Sequence, residues 1–215
     1  LSRPPRALPP GEYRAYLAPA AVKELLGMLS WGGFGLAAHR TRATVFLRMI
    51  EGGAALNSKV TLTEATAEGA CPAFGREGFV RPPRVERSGV EYGVANNGAN
   101  GGETPMALDM APGGLPEAGA LKALGTGVYV SNLWYCNFSD RSAGRLTGMT
   151  RFASFWVEDG ELVAPLNVMR FDDTIYRMLG ENLIDLTEER AYILDNSTYD
   201  GRSSESMHVP GALLG

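Results

Sequence analysis

Residues 150–167 read TRFASFWVEDGELVAPLN. Two runs of aromatic and aliphatic residues flank Glu158-Asp159-Gly160-Glu161, and Asp-Gly supplies the two positive-φ residues that a tight β-hairpin turn requires. The stretch therefore predicts two antiparallel strands. Upstream, Val128, Val130 and Leu133 begin further strand-like sequence, preceded by an Ala/Leu-rich helix at 118–124 that Gly125 stops. Downstream, Asp172 or Asp173 can cap a helix running through Ile175, Tyr176, Met178 and Leu179 to Gly180.

The first half adds a strand at Tyr13 to Leu17 and a helix with Pro19 at its first position. In that helix Val22, Leu25, Leu26 and Leu29 fall at i, i+3, i+4 and i+7 on one face. It runs to the cluster Gly32, Gly33 and Gly35, residues that either end the helix or allow close packing against another chain. Lys59 to Thr63 alternates as a strand, Phe74 to Val94 holds a short hairpin near Ser88-Gly89, and the Gly/Asn/Pro-rich stretch 96–114 reads as a long loop. The proline-rich residues 1–11 read as a linker from a domain upstream, with one domain over residues 12–215. Strands dominate without βαβ alternation, so the expected fold is α+β: a mostly antiparallel, strongly bent or barrel-like sheet with about three helices.

Composition narrows the function. A net charge of −4 and a pI near 5.3 provide no positive field to gather phosphates, which argues against direct nucleic-acid binding. The longest apolar stretch, Leu25 to Ala38, is too short and too glycine-rich to span a membrane. Two cysteines, Cys71 and Cys136, make no disulfide framework in a domain of this size, so a cytoplasmic location is expected.

Candidate chemistry is sparse. Only His39 and His208 could serve as imidazole ligands, far apart in the chain and without HExxH or a near variant. No G-x-S-x-G occurs. Gly125-Thr126-Gly127 lacks the third glycine of a dinucleotide fingerprint, and Gly98 to Gly102 lacks the Lys-Ser/Thr of a phosphate loop. Cys136 is either a nucleophile awaiting a base or a buried apolar filler. Arg76, Arg81, Arg84 and Arg87, mixed with Glu77 and Glu86, suit a solvated ion-pair surface. Arg141 and Arg145 lie in a polar loop beside Trp134, which is either a peptide or subunit contact or a plain surface loop.

Several stretches, in this order, resemble the TldD/PmbA family, once called modulators of DNA gyrase and now regarded as metalloprotease subunits. They are Leu8 to Tyr13, Leu17-Ala18-Pro19 with the helix to Leu26, Phe74 to Gly78, Gly125 to Val130, and Leu146 to Gly148 with Phe155 to Pro165. The resemblance covers nearly the whole chain, as the family's C-terminal domain. It implies two related subunits around a chamber in which one, carrying zinc, cleaves unfolded and leader peptides. That subunit would carry H-E-x-x-x-H just after Leu25-Leu26 and a cysteine ligand near its C-terminus. Here Gly27-Met28 and Gly32 stand at those places, and no cysteine follows Cys136. The resemblance thus implies the metal-free, PmbA-type subunit: no catalytic residue, no metal ligand and no cofactor in this chain, with zinc in a TldD-like partner. The alternative is a self-sufficient homodimeric peptidase or thiol hydrolase using Cys136.

Overall fold

A computed structural model describes residues 3–65, 104–195 and 205–215. The expected hairpin near Ser88-Gly89, the arginine cluster 76–87 and Cys71 lie outside the described residues. The strands are β1 (Ala15–Leu17), β2 (Leu62–Glu64), β3 (Ala107–Met110), β4 (Gly127–Asp140), β5 (Arg145–Glu158), β6 (Glu161–Pro165), β7 (Arg170–Thr174), β8 (Leu183–Leu194) and β9 (Ser206–Leu214). The α-helices are α1 (Pro19–Ser30), α2 (Leu36–Arg40), α3 (Leu47–Ile50) and α4 (Ala120–Leu124), joined by a π-helical turn at Arg177–Glu181 and a 3-10 turn at Glu117–Gly119.

All nine strands join one sheet in the order β2-β3-β9-β1-β4-β5-β6, with β7 also on β5 and β8 also on β9. Two long hairpins, β4–β5 and β8–β9, make up its two halves. The three residues of β1 connect them, antiparallel to β9 and parallel to β4. β8 runs along one edge of β9, so β3 and β1 share the other; on β5, β6 and β7 likewise share the edge opposite β4.

The turn at the centre of residues 150–167 forms as expected, with Asp159 at φ 52° and Gly160 at φ 84°. The first helix also forms as its periodicity requires, burying Val22, Leu25, Leu26 and Leu29 completely. These side chains join Val128, Val130, Leu133, Val209 and Ala212 in the main core on one sheet face. On the opposite face Tyr16, Ala120, Leu124, Val157 and Leu213 form a second, smaller core beneath α4. None of the described helices is long and apolar enough to cross a membrane.

Four expectations need correction. The sheet is open rather than barrel-like, and although most of its pairings are antiparallel as expected, β1–β4 and β3–β9 pair in parallel and make it mixed. Instead of about three helices there are four short α-helices and the π turn among the described residues. The supposed loop 96–114 contains β3, whose Leu108 and Met110 are buried between β2 and β9. Asp172 and Asp173 lie in β7 and cap no helix; the Thr174 hydroxyl accepts the Arg177 N–H at 3.1 Å instead.

Candidate functional site

The residues singled out in the sequence separate into a corner and two outliers. At the corner, α1 ends in Trp31 and Gly32, the latter at φ +74°, a conformation that favours glycine. The turn after β4 reaches the same place. Its geometry is set by Asp140, whose carboxylate accepts the Ala143 N–H at 3.1 Å and the Ser142 hydroxyl at 2.8 Å. Those bonds hold the Asp140 carboxyl below the usual carboxylate range. Arg141 is thereby aimed back at the helix, and its Nη1 donates to the Trp31 carbonyl at 2.9 Å. Its guanidinium lies 4.8 Å from the Trp31 ring centroid and 4.5 Å from that of Phe138. A cation here also complements the negative end of the helix dipole.

Gly32 is favoured at this corner by its positive φ, and Gly33 is required by close approach. A Cβ on Gly32 would stand 2.8 Å from Arg141 Nη1, and one on Gly33 only 2.0 Å from the Leu29 carbonyl oxygen. The Gly33 carbonyl accepts the buried Thr44 hydroxyl at 2.7 Å, which pins the loop that follows. Arg145 points elsewhere, pairing with Asp172 of β7. Trp134 is half exposed on β4 beside a register shift. Its neighbours Tyr135 (φ 54°) and Phe152 (φ 61°) are each 76% exposed in positive-φ conformations unusual for aromatic residues. Nothing in the local sequence signals those two bulges.

The corner does not fit a zinc ion. Gly27 and Gly32 carry no donor atom, Met28 is buried, and a guanidinium sits where a side chain at position 32 would project. Among the described residues no three His, Cys, Asp or Glu side chains group where they could hold a metal ion. His39 is exposed in α2. His208, in β9, has Nδ1 3.2 Å from Asp109 Oδ2, and Asp109 Oδ1 also accepts from Arg190 at 2.5 Å. Cys136 is half-buried; burial, and next the Glu24 carboxylate, push its thiol up to about 11. A thiol so shifted is protonated at neutral pH and is a poor nucleophile.

A feature that sequence reasoning missed is a cleft of about 600 Å³ ahead of α1, a size typical of ligand sites. Its floor is Ala15, Leu17, Val128, Val130 and Leu133; residues 8–13 form one wall and Val168–Asp173 another. The segment read as a linker is docked here. Arg6 N–H donates to the Pro165 carbonyl at 2.8 Å, and the Arg6 carbonyl accepts the Asn167 N–H at 3.0 Å. Glu12 pairs with Arg177 at 3.1 Å across the rim.

The profile of the PmbA/TldA metallopeptidase C-terminal domain matches residues 86–214. No curated protein matches the chain. Among solved structures, a Thermotoga maritima protein described as a modulator of a DNA gyrase is 15% identical with a TM-score of 0.71, covering 98% of this chain and 50% of that one. TldE from Thermococcus kodakarensis is 13% identical with a TM-score of 0.65, covering 97% and 50%. A modulator of DNA gyrase from Bacteroides thetaiotaomicron is 15% identical with a TM-score of 0.69, covering 98% and 47%. At such identities the likeness is one of fold, and the chain spans about half the length of the solved proteins it matches. With the profile covering more than half of its residues, the chain belongs to the PmbA/TldD family.

Proposed function

We propose that the chain is a non-catalytic subunit of a zinc-dependent peptidase complex acting on unfolded or leader peptides, and that it forms part of the chamber or groove. The observation that carries this is the corner at the end of α1. Gly27, Met28 and Gly32 stand where the family resemblance puts two histidines and a glutamate, and the Arg141 cation fills the space beside Gly32. Ligand atoms and general base are absent there together, and a fixed positive charge disfavours a dication.

The zinc then belongs to a TldD-like partner, and the likeness to TldE supports such a pairing over a homodimer. The raised thiol of Cys136 weighs against the self-sufficient hydrolase. A cytoplasmic location belongs to the same proposal, since two cysteines are too few for a disulfide framework in a domain of this size.

Co-expression with a metal-bearing relative, followed by elemental analysis, tests the proposal. The expected result is far less than one zinc per molecule in this chain alone, and peptidase activity only when both chains are present. One tightly held zinc per isolated chain, or peptide cleavage by it alone, overturns it.

A further inference from the structure

The corner at the end of α1 is closed on its inner side and open on its outer one. Thr44 fixes the loop to the Gly33 carbonyl, and Phe34 stacks on Phe46 with ring centroids 5.0 Å apart, so that α3 folds back beside the helix end. Tyr176 joins α3 to the turn after β4. Its hydroxyl donates to the Val45 carbonyl at 2.9 Å, and the Arg48 guanidinium lies 5.9 Å from its ring centroid. The same ring packs against Gly144, where a Cβ would stand 2.9 Å from it. The end of α1, α3 and the turn therefore present one surface.

That surface is apolar and positive. Trp31 (55%), Phe34 (42%), Met49 (39%) and Ile50 (51%) remain exposed on it. Between Trp31 and Ile50 stand three arginines and no Asp or Glu, in a chain whose net charge is −4. Arg42 is paired with Glu51, whereas Arg48 and Arg141 have no carboxylate partner among the described residues. Arg48 reaches the Gly53 carbonyl at 3.4 Å. Arg141 uses one of its five N–H groups on the Trp31 carbonyl, and the other four have no partner among the described residues. Apolar side chains around arginines without counter-charges suit the centre of a protein interface: the former supply buried area, and the latter select carboxylates. A lone carboxylate in solution would leave the apolar surround in water.

We propose that this corner is the docking surface for an acidic patch of the metal-bearing partner, with Arg48 and Arg141 each meeting a carboxylate and Trp31, Phe34 and Ile50 covered. The identity of the partner rests on the peptidase-subunit proposal, whereas the unpaired arginines and the exposed apolar side chains do not. The place at which the family resemblance puts a metal becomes, in this chain, a place for a carboxylate.

The test uses the full chain with the co-expressed metal-bearing relative, and calorimetry reads the dissociation constant at low and high salt. Arg48→Glu and Ile50→Ser change exposed side chains and should leave the circular dichroism spectrum intact while weakening association about tenfold or more. High salt should weaken the wild-type complex and alter that of Arg48→Glu little. Arg48→Lys supplies an amine that a carbodiimide can couple to a carboxylate, the reagent taking up the water lost. Mass spectrometry should then find residue 48 joined to an Asp or Glu of the relative. A dissociation constant that neither Arg48→Glu nor Ile50→Ser changes overturns the proposal. So does a homodimer that Arg48→Glu dissolves, which assigns the corner to a second copy, or binding to phosphatidylserine vesicles that the same substitution abolishes. A complex that cleaves peptides but ignores both substitutions removes this proposal and leaves the peptidase-subunit one. A complex that depends on the corner yet never cleaves a peptide does the reverse, and the absence of any complex removes both.

Discussion

The two ends of the α1 region handle their polar groups in opposite ways. At its C-terminal end the Trp31 carbonyl, the Arg141 guanidinium and the Thr44 hydroxyl are all engaged with one another or with nearby backbone. Gly33 there has no room for a methyl group. Ahead of its N-terminal end lies a cleft with an apolar floor, rimmed by Arg170, which has no carboxylate partner among the described residues. The contrast teaches that the corner where the family resemblance would seat a metal is filled by structure, while the cleft ahead of the helix stays open.

Substitutions can break or sharpen that contrast. The largest effect is expected from Gly33→Ala, whose Cβ would strike the Leu29 carbonyl and crowd Phe46 and Val45. A cost of about 3 kcal/mol, or roughly 6–12 °C in Tm for a chain of this size, is expected in calorimetry. A fully stable variant would show the corner to be looser than described. Arg141→Ala removes two cation–π contacts and the bond to Trp31, and should lower stability by about 1–2 kcal/mol in denaturant titration. No metal binding should appear, because with or without the cation no three metal-ligating side chains group there among the described residues.

Gly27→Ala should act in the opposite direction from Gly33→Ala. Six residues earlier in the same segment, its Cβ would meet nothing within 4 Å, so the gain in helix propensity, roughly 0.5–1 kcal/mol, should appear as a higher Tm. The smallest effect concerns Cys136. With its thiol pushed up to about 11, alkylation should be negligible at pH 7 and rise with a midpoint near 11 rather than at the ordinary value near 9. The sign follows from linkage. A raised pKa favours the folded protonated form, so that contribution is complete below about pH 9 and fades as pH climbs through 11. A reactive thiol at neutral pH would restore the hydrolase alternative.

Legibility in the sequence followed the range of the interactions. Asp159-Gly160 and the apolar spacing from Val22 to Leu29 are local signals, and both elements formed where they pointed. β9 was not readable, because Pro210 and Gly211 interrupt it. The Thr187 hydroxyl accepts the Gly211 N–H at 2.7 Å where β8 and β9 shift register. β3 was hidden by glycine, asparagine and proline on either side. The parallel joints β1–β4 and β3–β9 unite residues about a hundred positions apart, and no local pattern encodes such a partner. Gly32, Gly33 and Arg141 were each singled out, yet their convergence depends on the whole sheet. The cleft was invisible because its lining comes from widely separated stretches of chain.

The place of β9 bears on how the chain folds as it is synthesised. β1 and β3 both pair with β9, which comes about 190 residues after β1 in the chain. At roughly 5–20 residues per second, some 10–40 s separate the emergence of Leu17 from that of Ser206. During that interval β1, and β3 for its second half, wait without their β9 partner near the apolar face of α1, and these are the surfaces that a nascent-chain chaperone would need to shield.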